Sequence, residues 1–131
     1  VTELTRAQVR DWWRGLIDEA CAVDSTAVPG RRFSPNGWTV TALQAALSAI
    51  THGQRSDSPV EEALCHAVRI GDDTDTVAAI AGGLLGALHG ASAIPSSWVE
   101  QVHGWPGLTG AALAGLARDC LAAGQAGAAA F

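Results

Sequence analysis

The hexapeptide Gly71-Asp72-Asp73-Thr74-Asp75-Thr76 gathers three carboxylates and two hydroxyls, and nothing else in the chain is as dense in oxygen donors. Carboxylates crowded this closely repel one another, so a chain that folds them against an apolar segment commonly gives them a cation or backbone N–H groups. The glycine-rich apolar run 77–88 follows directly, which puts the cluster at the start of a helix. The first N–H groups of that helix would orient the Asp73 and Asp75 carboxylates with their outer lone pairs free, and Thr76 adds a neutral oxygen. With no His or Cys close in sequence, such a set suits Mg²⁺, Mn²⁺ or Ca²⁺ rather than zinc. It is too small for a whole coordination shell, which waters, substrate or residues from elsewhere must complete. Spacing alone supports a second reading equally, in which Asp75 is an N-cap and Asp72 and Asp73 form a solvated turn.

The elements that must position this cluster read as helices. Residues 4–22 carry Leu4, Val9, Trp12, Trp13, Leu16, Ile17 and Ala20 at mostly three- and four-residue intervals, with Arg6, Arg10, Arg14 and Asp18 on another face. Core packing is expected for this face, with one of the adjacent tryptophans at its edge. Residues 23–37 have loop composition and include the pair Arg31-Arg32, which is either solvated or met by an anion. A second helix over 38–52 repeats Val40, Leu43, Leu47 and Ile50, with Gly53 in the C′ place. Ser58-Pro59-Val60-Glu61 reads as a capping box with proline at the first helical position. The helix it opens runs to about Ile70, with Leu64, Ala67, Val68 and Cys65 on its buried side and His66 at the rim. Gly82, Gly83 and Gly86 would each cost the next helix about 1 kcal/mol relative to Ala, which predicts a central, buried helix that another backbone approaches closely. Gly90 ends it, Ser96 or Ser97 caps a short helix through Trp98 and Val102, and a last helix covers 108–121, followed by a poorly specified Ala/Gly tail to Phe131.

Composition agrees with an all-α helical bundle. Of 131 residues, 48% are hydrophobic and dominated by alanine, with fifteen glycines, two Phe and no Tyr. That is enough for a core in one domain. The formal charge is −5 and every cation is Arg, so neither phosphate-backbone binding nor any nucleic-acid partner is expected. Cys21, Cys65 and Cys120 are odd in number and widely spaced, which indicates free thiols rather than a disulfide framework or a zinc site. Run 77–88 is too short to span a bilayer and no signal-peptide pattern opens the chain, so a cytoplasmic protein without a membrane partner is expected.

Asp73 to Val77 also fits the Asp-x-Asp-x-(Thr/Val) start of haloacid-dehalogenase-type phosphatases. That family places the motif after a buried strand and uses a downstream basic residue, usually Lys. Here a helix pattern precedes it and the chain has no Lys, so the phosphatase reading ranks last.

The longer string is more specific. Residues 71–90, GDDTDTVAAIAGGLLGALHG, then Ile94-Pro95 and Trp98, closely resemble the C-terminal signature of the ADP-ribosylglycohydrolase family, the relatives of dinitrogenase reductase-activating glycohydrolase. Upstream, Asn36-Gly37-Trp38-Thr39-Val40-Thr41-Ala42-Leu43 and the helix containing Glu61-Glu62-Ala63 look like the segments that precede it in bacterial members, so the resemblance covers 36–98. It implies an all-α domain holding two Mg²⁺ or Mn²⁺ ions, with Asp73, Asp75 and Thr76 as ligands. The implied reaction is hydrolysis of the bond between ADP-ribose and a protein side chain or small leaving group. Gly37 and Trp38 fall near the adenosine end, where Trp38 either stacks on the base or belongs to the core. Asp72 sits where members carry Gly or Asp; it takes no metal role and is grouped with Gly37 and Trp38 on the substrate side.

The family's Thr-Asp-Asp run, first catalytic acid and phosphate-contacting glycines have no counterpart among residues 1–36. No catalytic residue is therefore assigned within this chain. Because the chain begins at Val1 and contains no Met, we expect residues 1–131 to be a single all-α domain or half-domain that joins an N-terminal half or self-associates, and to be inactive alone. The alternative function is a non-catalytic, crystallin-like or split-half assembly module of the same fold.

Overall fold

The computed structural model describes residues 4–128, which divide after Ala93 into two compact units. Among the described residues there are six α-helices and one minimal hairpin, so the all-α expectation holds. No helix is long and apolar enough to cross a membrane.

The first unit contains α1 (Arg6–Cys21), α2 (Thr39–Gly53), α3 (Pro59–Arg69) and α4 (Thr74–His89). Helix α2 lies in the middle, packed by the other three. It buries Val40, Ala42, Ala45, Ala46 and Ala49 against Val60, Ala63, Ala67 and Ile70 from the α3 side and Val77, Ala81 and Leu85 of α4. Alanines at the crossings let the helix axes approach closely, and close packing replaces the large side chains the sequence lacks. Gly53 belongs to the same contact. A Cβ there would lie 2.4 Å from the Ala63 nitrogen, and the α2 C-cap is Gln54 with right-handed backbone. The glycine serves helix contact, not the left-handed C′ turn expected from its place in the sequence.

Three further expectations are corrected. Pro59 does open α3, but the Ser58 side chain makes no capping bond. Its buried face runs through Val60, Ala63 and Ala67, which turns Val68 outward to 55% exposure and leaves Leu64 and Cys65 half-buried. Helix α4 is not central: Val77, Ala81 and Leu85 form one buried stripe at four-residue spacing, while Leu84 and Leu88 are exposed. A Cβ at Gly83 or Gly86 would meet nothing within 4 Å, and one at Gly82 only the Leu64 side chain at 3.7 Å. Among the described residues, Gly83 and Gly86 therefore face open space, and no backbone closely approaches Gly82. Likewise α1, opened by a reciprocal Thr5/Gln8 capping box, buries Ala20 but leaves Trp12 49% exposed, packed edge-to-face on Trp13 at 5.1 Å.

The second unit holds α5 (Ser96–Gln101), β1 (His103–Gly104) paired antiparallel with β2 (Leu108–Thr109), and α6 (Gly110–Ala128). Pro95 occupies the α5 N-cap position, so neither Ser96 nor Ser97 caps it. Gly110 lets α6 start against α5, since a Cβ there would sit 2.6 Å from the Val99 carbonyl oxygen. Helix α6 runs well past the expected 121; the end of the tail, 129–131, lies outside the described residues.

Candidate functional site

The acidic cluster forms the turn between α3 and α4. Gly71 (φ 87°) and Asp72 (φ 59°) take left-handed backbone in succession and reverse the chain. Thr74 N–H then donates to the Asp72 carbonyl at 3.0 Å as α4 begins. Asp73 occupies the N-cap position without a side-chain capping bond, and Asp75 lies inside the first turn. The reading of Asp75 as an N-cap is thereby excluded, and the Asp73 carboxylate is not spent on capping. The hydrogen bond from Asp73, then the N–H groups of Asp75 and Thr76, hold the Asp75 carboxyl below its ordinary range. Asp72, Asp75 and Thr76 are exposed and Asp73 is half-buried.

The turn is held from behind by the loop between α1 and α2. Asn36 is fully buried; its Nδ2 donates to the Gly71 carbonyl at 3.1 Å and its Oδ1 accepts the Asp73 N–H at 2.8 Å. Arg31 Nη1 donates to the Ile70 carbonyl at 2.9 Å, and the Ser34 hydroxyl donates to the Asp72 carboxylate. These side chains thus fix four consecutive residues, Ile70 to Asp73. Gly37 lies beside the site, since a Cβ there would be 3.9 Å from Asp73 Oδ2. Trp38 is 61% exposed, which removes its reading as a core residue.

The loop has its own anchor. Asp24 accepts the N–H groups of Thr26 and Gly30, each at 3.0 Å. Hydrogen bonding, from Thr26 first and then Gly30, lowers its pKa to about 2. The Asp24 N–H donates to His52 Nε2 at 3.0 Å, while the other ring nitrogen lies 2.8 Å from the Ser48 carbonyl. Those contacts require the tautomer with its proton on Nδ1. At Gly30 (φ 85°) the loop crosses Ile70 so closely that a Cβ would be 2.9 Å from Ile70 Cδ1.

Asn36, Ser34 and Arg31 were not legible as a clamp. Asn36 between Pro35 and Gly37 has the composition of any loop, and Arg31 carries only the general signal of paired arginines. The one usable hint was length, because a connection of this size in a compact unit generally has work to do.

Two carboxyl groups two residues apart at the start of a helix, with a hydroxyl one residue on, make an all-oxygen donor set of the kind that suits a hard divalent cation. Among the described residues no three His, Cys, Asp or Glu side chains converge into a metal group.

Comparison with known proteins bears on the family to which the chain belongs. Over 67 residues the chain is 42% identical to the ADP-ribosylarginine hydrolase Tri1 of Pseudomonas putida (strain GB-1), covering 51% of this chain and 17% of that protein. It is 34% identical over 67 residues to Tri1 of Serratia proteamaculans (strain 568), again covering 51% and 17%. With the ADP-ribosylhydrolase ARH3 of Homo sapiens it shares 35% identity over 46 residues, 35% of this chain and 13% of that protein. The matched stretch is thus a small part of each curated relative. No solved structure matches the chain. The sequence pattern of the ADP-ribosylglycohydrolases, in contrast, extends over residues 1–129, and by that match the chain belongs to the ADP-ribosylglycohydrolase family.

Proposed function

We propose that this chain supplies one side of the active site of a Mg²⁺- or Mn²⁺-dependent ADP-ribosylglycohydrolase, which cleaves the glycosidic bond between ADP-ribose and a protein side chain or small leaving group. The observation that carries this reading is the placement of Asp73, with no side-chain capping bond, and Asp75 at the start of α4, on a turn fixed by buried Asn36. Asp73, Asp75 and Thr76 are the ligands in this proposal. When bound, the metal supplies Lewis-acid character and a template for ribose hydroxyls and water. Asn36 sets the position of the Asp73 main chain. Gly37, without a side chain, leaves the space beside the Asp73 carboxylate open to ligand, and the exposed Trp38 ring offers a stacking face to an adenine base. Asp72 borders the substrate side. The arginine-linked conjugate named for the Tri1 relatives is one candidate substrate.

The remaining ligands and the catalytic acid come from outside this chain, so the chain alone binds metal weakly and does not catalyse. The partner is the complementary half of the fold or a second copy, and the exposed Leu84 and Leu88 of α4 and Trp12 of α1 support such a surface. That same surface favours the second reading, a non-catalytic assembly module. Free Cys21, Cys65 and Cys120 agree with a reducing, cytoplasmic setting. The test joins the chain to its complementary half and measures Mn²⁺ binding by electron paramagnetic resonance beside ADP-ribose release. Asp75→Asn should weaken Mn²⁺ binding by at least about tenfold and remove activity. Undiminished binding and turnover in that variant would remove the metal role, and metal binding with no turnover in the joined protein would favour the assembly reading.

A further inference from the structure

We infer a second binding site, separate from the acidic turn, for the phosphate group of a small-molecule ester. The site is a groove of about 530 Å³ lined by Asp24, Thr26, Ala27, Val28, Arg31 and Arg32, a volume in the range of small-ligand pockets. Its cations are prepared in an unusual way. Among the described residues, Arg31 and Arg32 are the arginines whose guanidinium groups are anchored by main-chain carbonyls, Ile70 for Arg31 and Glu19 for Arg32. Arg32 also lies 4.9 Å over the Phe33 ring. Neither makes a salt bridge to a carboxylate among the described residues. Each anchor uses one N–H of a group that carries five, so most donors stay free while the side chains have already lost much of their rotational freedom.

The groove's one acid does not cancel this. Asp24 spends one carboxylate oxygen on the Thr26 N–H and the other on the Gly30 N–H, so both oxygens are turned into the loop's own main chain. The balance of the lining is two cations against one satisfied anion. Adjacent forks of this kind match a tetrahedral dianion, which presents oxygens to both, better than a carboxylate, which a single fork satisfies. Ala27 and Val28 give the apolar wall for the carbon part of the ester. Arg31 also links the groove to the turn, because its anchor is the carbonyl that precedes Gly71. The inference does not depend on the metal proposal: a phosphate site can exist whether or not Asp73 and Asp75 bind a cation.

The test titrates inorganic phosphate into the 131-residue chain and follows the arginine Nε–Hε resonances by NMR, with acetate as the second arm and Arg118→Gln as the control substitution. Saturable shifts confined to Arg31 and Arg32 are expected, with acetate weaker than phosphate. Arg32→Gln should raise the phosphate dissociation constant at least about tenfold, the loss of one charge-assisted hydrogen bond, and Arg118→Gln should leave it unchanged. Equal shifts at Arg118, an Arg32→Gln variant that titrates like the parent, or acetate as strong as phosphate would each overturn the assignment. Near-identical parent and Arg32→Gln spectra away from the groove check that the variant is folded.

Discussion

Replacing Asn36 removes the part of the clamp that has no substitute nearby. The side chain is fully buried and spans the turn with both ends of its amide, donating to Gly71 and accepting from Asp73. In Asn36→Ala both bonds go, at about 1 kcal/mol net each, and the Asp73 N–H and Gly71 carbonyl are left partly buried without partners, at about 1–3 kcal/mol more. The total is about 3–5 kcal/mol, a large share of a typical folding free energy of about 5–15 kcal/mol. Asn36→Asp separates the clamp from mere space-filling. The introduced carboxyl keeps the acceptor for Asp73 N–H, but when ionised it faces the Gly71 carbonyl with no donor and adds charge beside Asp72 and Asp73. Once protonated it can donate to Gly71 again, so its deficit should shrink between pH 7 and pH 5 while that of Asn36→Ala stays flat. Urea unfolding at the two pH values measures this, and hydrogen exchange at the Asp73 amide should accelerate in both variants at pH 7. A loss under about 0.5 kcal/mol in Asn36→Ala, or a pH-independent deficit in Asn36→Asp, would refute the clamp.

Two other predictions follow from backbone geometry and from charge. Gly83→Ala should stabilise the isolated chain by about 0.5–1 kcal/mol, since its Cβ meets nothing within 4 Å and helix propensity improves; Gly53→Ala, with its Cβ 2.4 Å from the Ala63 nitrogen, should cost about 1–3 kcal/mol. Thermal unfolding checks both, and a destabilising Gly83→Ala would show that this face is already packed. Asp24, ordinarily near 3.8 and held at about 2 by its N–H donors, is a depressed acid. Its contribution is complete above about pH 4 and is lost as the pH falls toward 2. The stability gap between the parent and Asp24→Asn should therefore be constant from pH 7 to about 4 and close near pH 2, as read by urea midpoints; a gap undiminished at pH 2 would place the effect elsewhere.

What the sequence made legible, and what it did not, divides along range of contact. Helix positions followed local periodicity, so α2, α3 and α4 lie where their apolar repeats put them, and Pro59 and Gly90 mark boundaries through their own backbone limits. Which residues a face buries depends on neighbours that periodicity does not name. Val68 is apolar and outward because the buried face of α3 runs through Val60, Ala63 and Ala67. Gly83 and Gly86 signalled close approach by another backbone, yet among the described residues nothing comes within 4 Å of a Cβ built at either. The hairpin at His103–Gly104 and Leu108–Thr109 left only Pro106-Gly107 as a trace, too little for strands of two residues. At the site, Asp73, Asp75 and Thr76 stood out by residue type; their clamp did not, because Asn36 gains meaning only from a partner 35 to 37 residues away.

That separation has a physical logic. The turn carries costs of its own: a non-glycine residue, Asp72, in left-handed backbone, and carboxylates crowded at Asp73 and Asp75. Local sequence offsets only part of this, through the N–H groups of Asp75 and Thr76 at the Asp75 carboxyl. The other offsetting bonds come from the opposite side, to the main chain of Ile70, Gly71 and Asp73, where they fix geometry and leave the Asp73 and Asp75 carboxylates free of the loop. Among the loop's side chains Ser34 bonds a carboxylate of the turn, and it takes Asp72, the acid to which no ligand role is given. In the proposed metal site, a loop that holds the backbone and spares the Asp73 and Asp75 carboxylates would keep every constraint it imposes with or without a cation. The same loop carries Gly37 and Trp38, so an adenine stacked on Trp38 and a cation on Asp73 would be positioned by one element. Displacing the loop should then weaken both together.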